Sequence, residues 1–366
     1  MPIASAPILW TSAALVLSAL LTWASIAYAH RRRLIDEPGM RRSHSVPTPR
    51  GGGIGIVVAI LVCGLATSLF DASLTNRFAL WWLIPPVLGV ALVGWIDDHG
   101  GLSAGKRFAM HCMAALWTFA VPMLPFAALG GFVSDLPPGL DVIMLAGGLI
   151  AVIATVWSIN LHNFMDGIDG ILALQSIFVF STLAALFADI GERGLAWQLA
   201  LCAAAALGFV PFNFPRARIF MGDVGSGVLG FLIAVAVIGQ MLAPRIAFAS
   251  GLLACSAFVT DATCTLVSRM IRGRRWYSAH REHLYQWLVR CGNSHARVVA
   301  YYMGWNLLIV LPVIGWMNRS IASDARHATA GLGAAALVYA LAIGVWFVGK
   351  KRCIASVRAR GAHAAA

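Results

Sequence analysis

The stretch VIMLAGGLIAVIATVWSINLHNFMDGIDGILALQSIFVFSTLAALF, Val142 to Phe187, decides the fold. Its two ends are continuous apolar runs, each close to the ~20 residues that an α-helix needs to cross a bilayer. Its middle, Asn160 to Gly170, holds Asn160, His162, Asn163, Asp166 and Asp169. Unbroken apolarity suits a helix, whereas a membrane β-barrel alternates over segments of about ten residues. The stretch therefore reads as two spans joined by a polar turn. It leaves the question of why a lipid-embedded chain gathers so many polar groups there.

The same run length recurs outward in both directions. Of the 366 residues, 60% are hydrophobic and 11% charged, against roughly 25% charged in a soluble domain. Apolar runs at 7–29, 53–70, 79–96, 108–128, 142–159, 170–188, 195–212, 226–243, 247–267, 299–317 and 329–348 predict an all-α, polytopic helical membrane protein of about eleven transmembrane helices. No soluble domain interrupts them. Residues 1–366 read as one integral membrane domain, with 269–298 as its largest cytoplasmic loop.

The first run ends in Ala27-Tyr28-Ala29, but Arg31, Arg32 and Arg33 follow it and no Lys or Arg precedes it. A signal peptide has the opposite flanks, so a retained span is expected. If the segment after it is cytoplasmic, 22 of the 27 Lys and Arg fall on the cytoplasmic side. The positive-inside rule then sets the N-terminus on the periplasmic side and the C-terminus in the cytoplasm. The net charge of +12 is accounted for by this asymmetry and by attraction to anionic lipid heads, and it does not argue for nucleic acid. The seven cysteines form no CxxC pair. Most sit in apolar runs, where cysteine behaves as a small hydrophobe.

The outer acids are scattered singly in short loops. The inner ones collect at span ends: Asp97, Asp98, Asp166, Asp169 and Asp223. The pair Asp97-Asp98 closes a span, where a helix C-terminus disfavours acids, so a cation or basic neighbours such as Lys106 are needed. Asp166 and Asp169 are spaced i, i+3, as are Asn160 and Asn163, which puts each pair on one face if the segment is helical. In PFNFPRARIFMGDVGSGVLGF (211–231), Arg216 and Arg218 precede Asp223, and the glycines around it suit a phosphate at a helix N-terminus. PTPRGGG (47–53) offers backbone N–H groups to a pyrophosphate. The loop RMIRGRRWYSAHREHLYQWLVR (269–290) holds His280, Arg281 and His283 and reads as an amphipathic interfacial helix, with Trp276, Tyr277, Tyr285 and Trp287 at headgroup level. Asp261, about two helical turns inside the ninth run, is either functional or a helix–helix hydrogen bonder.

Acids, amides, histidines, arginines and Gly-rich turns on one face point to phosphoryl chemistry, because Mg²⁺ uses one or two carboxylates plus substrate phosphates. Arginines suit di- or polyphosphates. No Walker P-loop is present, which argues against ATP hydrolysis.

The segments RSHSVPTPRGGG, WIDDHGGLSAGKR, NLHNFMDGIDGILA, IFMGDVGSGVLG and WYSAHREHLYQ, in this order and spacing, resemble the polyprenyl-phosphate N-acetylhexosamine-1-phosphate transferases. The resemblance covers roughly residues 30–290. It is closer to the O-antigen-initiating branch than to the muramoyl-pentapeptide branch, which carries a His triplet where this chain has HREH. It implies transfer of a sugar 1-phosphate from a UDP-N-acetylhexosamine to undecaprenyl phosphate at the cytoplasmic face of a bacterial inner membrane. It also implies Mg²⁺, with Mn²⁺ as an alternative, and a homodimer as the family's option. By motif, Asp223 corresponds to the metal-binding acid, with Asp98 beside it. Asp97 or Asp98 corresponds to the acid that engages the lipid phosphate. Asn160, Asn163, Asp166 and Asp169 correspond to nucleotide-sugar and metal-shell positions. His280, Arg281 and His283 correspond to donor contacts. One departure stands out: where the family carries two basic residues one position apart, this chain has Gly105 followed by Lys106 and Arg107.

Two rivals follow from the same features. An ion- or proton-coupled transporter predicts charges near the bilayer midplane, where only Asp261 lies. A CDP-alcohol phosphotransferase predicts DGxxAR, but Asp166-Gly167 continues as Ile168, Asp169, Gly170 and Ile171.

Overall fold

A computed structural model describes residues 6–37, 46–70, 81–120, 140–275, 280–321 and 327–365. Helices dominate. In chain order they are α1 (Ala6–Arg32), α2 (Ile54–Phe70), α3 (Ile84–Gly100), α4 (Ala104–Ala120), α5 (Leu140–Met165), α6 (Ile171–Asp189), α7 (Arg193–Asn213) and α8 (Gly222–Met241). There follow α9 (Ser250–Ala254), α10 (Ser256–Ile271), α11 (Leu284–Arg290), α12 (His295–Trp305), a π-helical turn at Asn306–Val310, α13 (Leu311–Ile321) and α14 (His327–Ala365). Two short strands, β1 (Ile35–Asp36) and β2 (Thr48–Pro49), pair antiparallel between α1 and α2.

Seven helical stretches among the described residues are long and apolar enough to cross a membrane: Pro7–Arg32, Val142–Met165, Ile171–Asp189, Arg193–Asn213, Gly222–Met241, His295–Ser320 and Ala330–Arg360. The other four expected spans fall on shorter helices. The run 53–70 is α2, of 17 residues. The runs 79–96 and 108–128 overlap α3 and α4, and residues 79–80 and 121–128 lie outside the described residues. The run 247–267 is broken in two at Cys255, between α9 and α10. The run 329–348 continues well past its apolar part into α14, because the Ala-rich tail keeps a high helix propensity without needing lipid.

The core is built around α6, α7 and α8, whose aromatic and aliphatic side chains Phe180, Phe209, Phe231 and Leu183 are fully buried. Burial of each such side chain favours folding by about 1.5–3 kcal/mol against an aqueous reference. In a bilayer, tight packing contributes the larger share. The helices that carry the acids cross at small residues. A Cβ on Gly94 of α3 would lie 2.5 Å from the backbone of Asp223 and Val224 at the start of α8. Only glycine lets those two backbones touch. One turn further along α3, on the same face, stands Asp98. The PTPRGGG segment is tied to the same place. Gly52 and Gly53 donate their N–H groups to Phe220 O and Met221 O at 2.9 and 2.8 Å, and Phe220 donates to Pro49 O at 2.8 Å. Those N–H groups are therefore occupied by backbone, contrary to the expectation that this turn offers them to a pyrophosphate.

Candidate active site

A cavity of about 230 Å³ opens where the ends of α3, α5, α7 and α8 converge. Asp98, Asn163, Asp166, Asn213, Asp223 and Gln286 line it, together with Arg50 and Asp36 from the β1–β2 region. Acids from four separate segments of sequence thus share one space.

Asp98 is 4% exposed. Its Oδ1 accepts the N–H of Asp223 at 3.1 Å and its Oδ2 that of Val224 at 3.3 Å. These are among the first N–H groups of α8, which no intrahelical carbonyl can satisfy. Asp98 acts as an N-cap supplied from another helix, and its charge complements the positive end of α8. Gly222, at φ +76°, precedes this turn, and a Cβ there would lie 2.6 Å from Asp98 Oδ2. The expected phosphate seat at this helix N-terminus is thus already filled by a carboxylate. Asp98 thus holds the start of α8 while also lining the cavity.

Asp97 points the other way on α3, as the 100° step of a helix requires. It accepts hydrogen bonds from the N–H of Leu102 and from the guanidinium of Arg107. Arg107 also reaches Asp223 Oδ2 at 3.3 Å, so one cation bridges two acids. Lys106, the expected partner, is exposed. The basic residue that meets the acids stands one position later than the spacing suggested.

Asn163 donates to Asp223 Oδ1 at 2.8 Å and to Ser226 Oγ at 3.1 Å. Asn160, one turn earlier, donates back to Val156 O at 2.7 Å within α5 and stays out of the cavity. Helix α5 ends at Met165, so Asp166 to Gly170 is a turn, and the helical premise for pairing Asp166 with Asp169 does not hold. Asp166 lines the cavity. Burial, reinforced by the negative charges of Asp223, Asp98 and Asp169, pushes its pKa up to about 8. The carboxylate of Asp169 instead accepts the N–H of Ala217 at 3.2 Å and lies 3.2 Å from His295 Nδ1. It anchors the turn to the segment before α8.

Asn213, 4% exposed, does similar work. Its Oδ1 accepts the N–H of Gly170 at 2.7 Å, and its Nδ2 donates to Ile219 O at 2.9 Å. Sequence reasoning passed over Asn213, Arg50 and Gln286, and met Arg107 only as part of a departure from the family's spacing. Asn213 gave a faint signal, a lone amide next to the Phe-Pro that stops α7. Arg216 and Arg218 are exposed. Arg218 packs on the Phe212 ring at 4.8 Å and donates to Pro211 O at 2.9 Å.

In the described part of the long loop, Leu284–Arg290 form the short helix α11; Trp276 and Tyr277 lie outside the described residues. Tyr285 is fully buried, and its hydroxyl donates to Phe164 O at 2.9 Å. The His280 and His283 rings are 5.0 Å apart, and His283 stacks on Tyr285 at 5.7 Å. Burial, then the charges of His283 and Arg269, takes the His280 pKa down to about 4, so the imidazole is neutral at pH 7. Arg281, between the two histidines, is half-buried. None of these three lines the cavity.

Among the described residues no group of three or more His, Cys, Asp or Glu side chains is arranged to hold a metal ion unaided. Asp166 and Asp223 form a pair of oxygen donors on the cavity wall. That donor set fits Mg²⁺, which prefers one or two carboxylates and takes its remaining ligands from water and phosphate.

Residues 80–240 match glycosyl transferase family 4. The decaprenyl-phosphate N-acetylglucosaminephosphotransferase of Mycobacterium leprae is 31% identical over 315 residues, 76% of this chain and 75% of the relative. The undecaprenyl-phosphate alpha-N-acetylglucosaminyl 1-phosphate transferase of Yersinia pestis is 26% identical over 292 residues, 77% of each chain. Its namesake in Thermotoga maritima is 29% identical over 221 residues, 60% of this chain and 62% of the relative. The chain belongs to the polyprenyl-phosphate N-acetylhexosamine-1-phosphate transferases of glycosyl transferase family 4.

Proposed function

We propose that this protein transfers N-acetylglucosamine 1-phosphate from UDP-N-acetylglucosamine to a polyprenyl phosphate such as undecaprenyl phosphate. The products are a polyprenyl-diphosphate sugar and UMP, and the step starts a lipid-linked surface polysaccharide of the O-antigen type. The observation that carries the reading is the meeting of Asn163, Asp166 and Asp223 in one cavity, with Asn163 bonded to Asp223 at 2.8 Å. The relatives' names supply the sugar and the lipid class. Nothing in the comparisons favours the transport alternative.

The chemistry follows from charge. A phosphomonoester's second pKa is about 6, so the lipid phosphate is mostly a dianion at pH 7 and a fair nucleophile without a strong base. Its oxygen attacks the donor's β-phosphorus directly. The P–O bond to the acceptor forms, the bond from the β-phosphorus to the oxygen bridging to the α-phosphate breaks, and UMP leaves with the electron pair. Both substrates are anionic, and the cavity wall is acidic. Asp166 and Asp223 would hold Mg²⁺, which would supply charge neutralisation when bound. Asn163 orients Asp223, Asp98 fixes the start of α8, and Arg107 neutralises Asp97 while steadying Asp223. Arg50, on the cavity wall, is placed to meet a substrate phosphate.

The site faces the cytoplasm in this reading, with the N-terminus periplasmic, the C-terminus cytoplasmic and about eleven crossings. The basic asymmetry of the loops supports that orientation. The test is transfer of label from UDP-N-acetylglucosamine, marked at its β-phosphorus, into the lipid phase of membranes given undecaprenyl phosphate. Label must move with Mg²⁺ and stop with chelator. Absence of transfer from folded protein would reject the reaction.

A further inference from the structure

Asp261 sits in α10, 2% exposed, and its carboxylate gathers donors from four helices. Oδ1 accepts the N–H of Leu284 at 2.7 Å, Trp346 Nε1–H at 3.1 Å and the Thr265 hydroxyl at 3.3 Å. Oδ2 accepts the Tyr302 hydroxyl at 2.7 Å and the N–H of Tyr285 at 3.2 Å. Leu284 and Tyr285 are the first residues of α11, so this carboxylate satisfies N–H groups that the short helix leaves orphaned. The side chains of Thr265, Tyr302 and Trp346 fix the carboxylate itself, from α10, α12 and α14.

What α11 carries leads straight to the acids. The Tyr285 hydroxyl donates to Phe164 O in the last turn of α5, at 2.9 Å. The same hydroxyl fills the space over Gly167, where a Cβ would lie 2.1 Å from it. Gln286 accepts the N–H of His283 at 3.3 Å and lines the cavity beside Asp166 and Asp223. Among the residues lining that cavity, Gln286 is the one drawn from beyond α8. Asp261 itself does not line the cavity.

We propose that Asp261 is a positioning residue for the transfer reaction: it pins the start of α11 so that Tyr285 braces the Asp166-Gly167 turn and Gln286 enters the site. The proposal rests on the function given above for its kinetic arm, and on geometry alone for its structural arm. A buried carboxylate with five bonded donors is preorganised, and a displacement of about 1 Å near reacting groups costs on the order of 100-fold in rate.

The experiment compares wild type, Asp261→Asn, Gln286→Ala and the double variant, purified in detergent and matched for folded protein by size exclusion. Two quantities are read: label transfer per folded molecule and hydrogen–deuterium exchange by segment. Asp261→Asn sets an NH₂ against donors that need an acceptor. It should slow transfer on the order of 100-fold and raise exchange in residues 283–290 and 164–170, with α6 unchanged. The double variant should be no more than about threefold slower than Asp261→Asn, since coupled sites are not additive. Uniformly faster exchange in all helices, or losses that multiply as for independent sites, would overturn the proposal. If Asp261→Asn does not fold, Tyr302→Phe carries the test. It removes one bond to the same carboxylate and must loosen the same two segments by less; no change there would reject the proposal. A wild type that transfers no label defeats the function proposed above, and the exchange pattern still decides the role of Asp261.

Discussion

Asp98 and Asp223, 125 positions apart, meet through a carboxylate and a backbone N–H at 3.1 Å, and the acid of one helix thereby starts the other. Asp98→Asn keeps one oxygen to accept an N–H, whereas Asp98→Ala keeps none. Loss of a cap costs about 1 kcal/mol, so melting of the purified protein should rank wild type above Asn above Ala. Transfer should persist in Asp98→Asn with its pH profile unmoved. An Asn variant as stable as wild type and wholly inactive would instead make Asp98 the base.

Arg107 and Lys106 are adjacent, but only Arg107 touches the acids. Arg107→Ala should lower kcat/KM about tenfold or more, equivalent to ~1.4 kcal/mol of transition-state stabilisation. Lys106→Ala should stay within about threefold, as expected for an exposed charge. Steady-state kinetics on both variants decides it, and a larger loss from Lys106→Ala would shift the phosphate-binding role back to the lysine.

Gly167 has no room for a methyl group beneath the Tyr285 hydroxyl. Gly167→Ala should cost about 1–3 kcal/mol, the usual price of overpacking, and abolish most activity. Tyr285→Phe in the same chain should restore part of both. Melting temperature and label transfer of the pair would show it; an innocuous Gly167→Ala would contradict the packing described.

Asp166 couples stability to pH. Its folded pKa, about 8, lies above the ordinary value of 3.8, so folding favours the protonated acid. In metal-free protein this contribution is full below about pH 4 and fades as pH rises through about 8. Mg²⁺ favours the carboxylate, so its binding should release a proton and strengthen with pH over the same range. Melting curves in chelator should therefore fall between pH 5 and 8, to a few kcal/mol at most. Mg²⁺ should reverse the fall, and Asp166→Asn should flatten both. Equal curves with and without Mg²⁺ would remove Asp166 from the metal site.

The helical spans were legible because lipid imposes a length and a composition on each one. The break at Cys255 was not, since α9 and α10 are both apolar and nothing in composition marks the boundary. The motif acids were legible as a group, yet spacing misled where it assumed a helix. Asp166 and Asp169 face apart because α5 stops at Met165. Lys106 and Arg107 differ only in register on α4, which a single sequence does not resolve. The bond of Asn213 to Gly170 and four of the five bonds of Asp261 span 23 to 85 positions, and that of Tyr285 to Phe164 spans 121; such contacts leave no local pattern.

The most direct test of the central claim compares Asp166→Asn with Asp169→Asn in one label-transfer assay, using β-labelled UDP-N-acetylglucosamine, undecaprenyl phosphate and Mg²⁺. The two acids are three positions apart, but only Asp166 lines the cavity. The account predicts transfer lost by about 100-fold or more in Asp166→Asn, and a folded, less stable Asp169→Asn that still transfers. The reverse order, with Asp169→Asn stable and inactive and Asp166→Asn active, would contradict it.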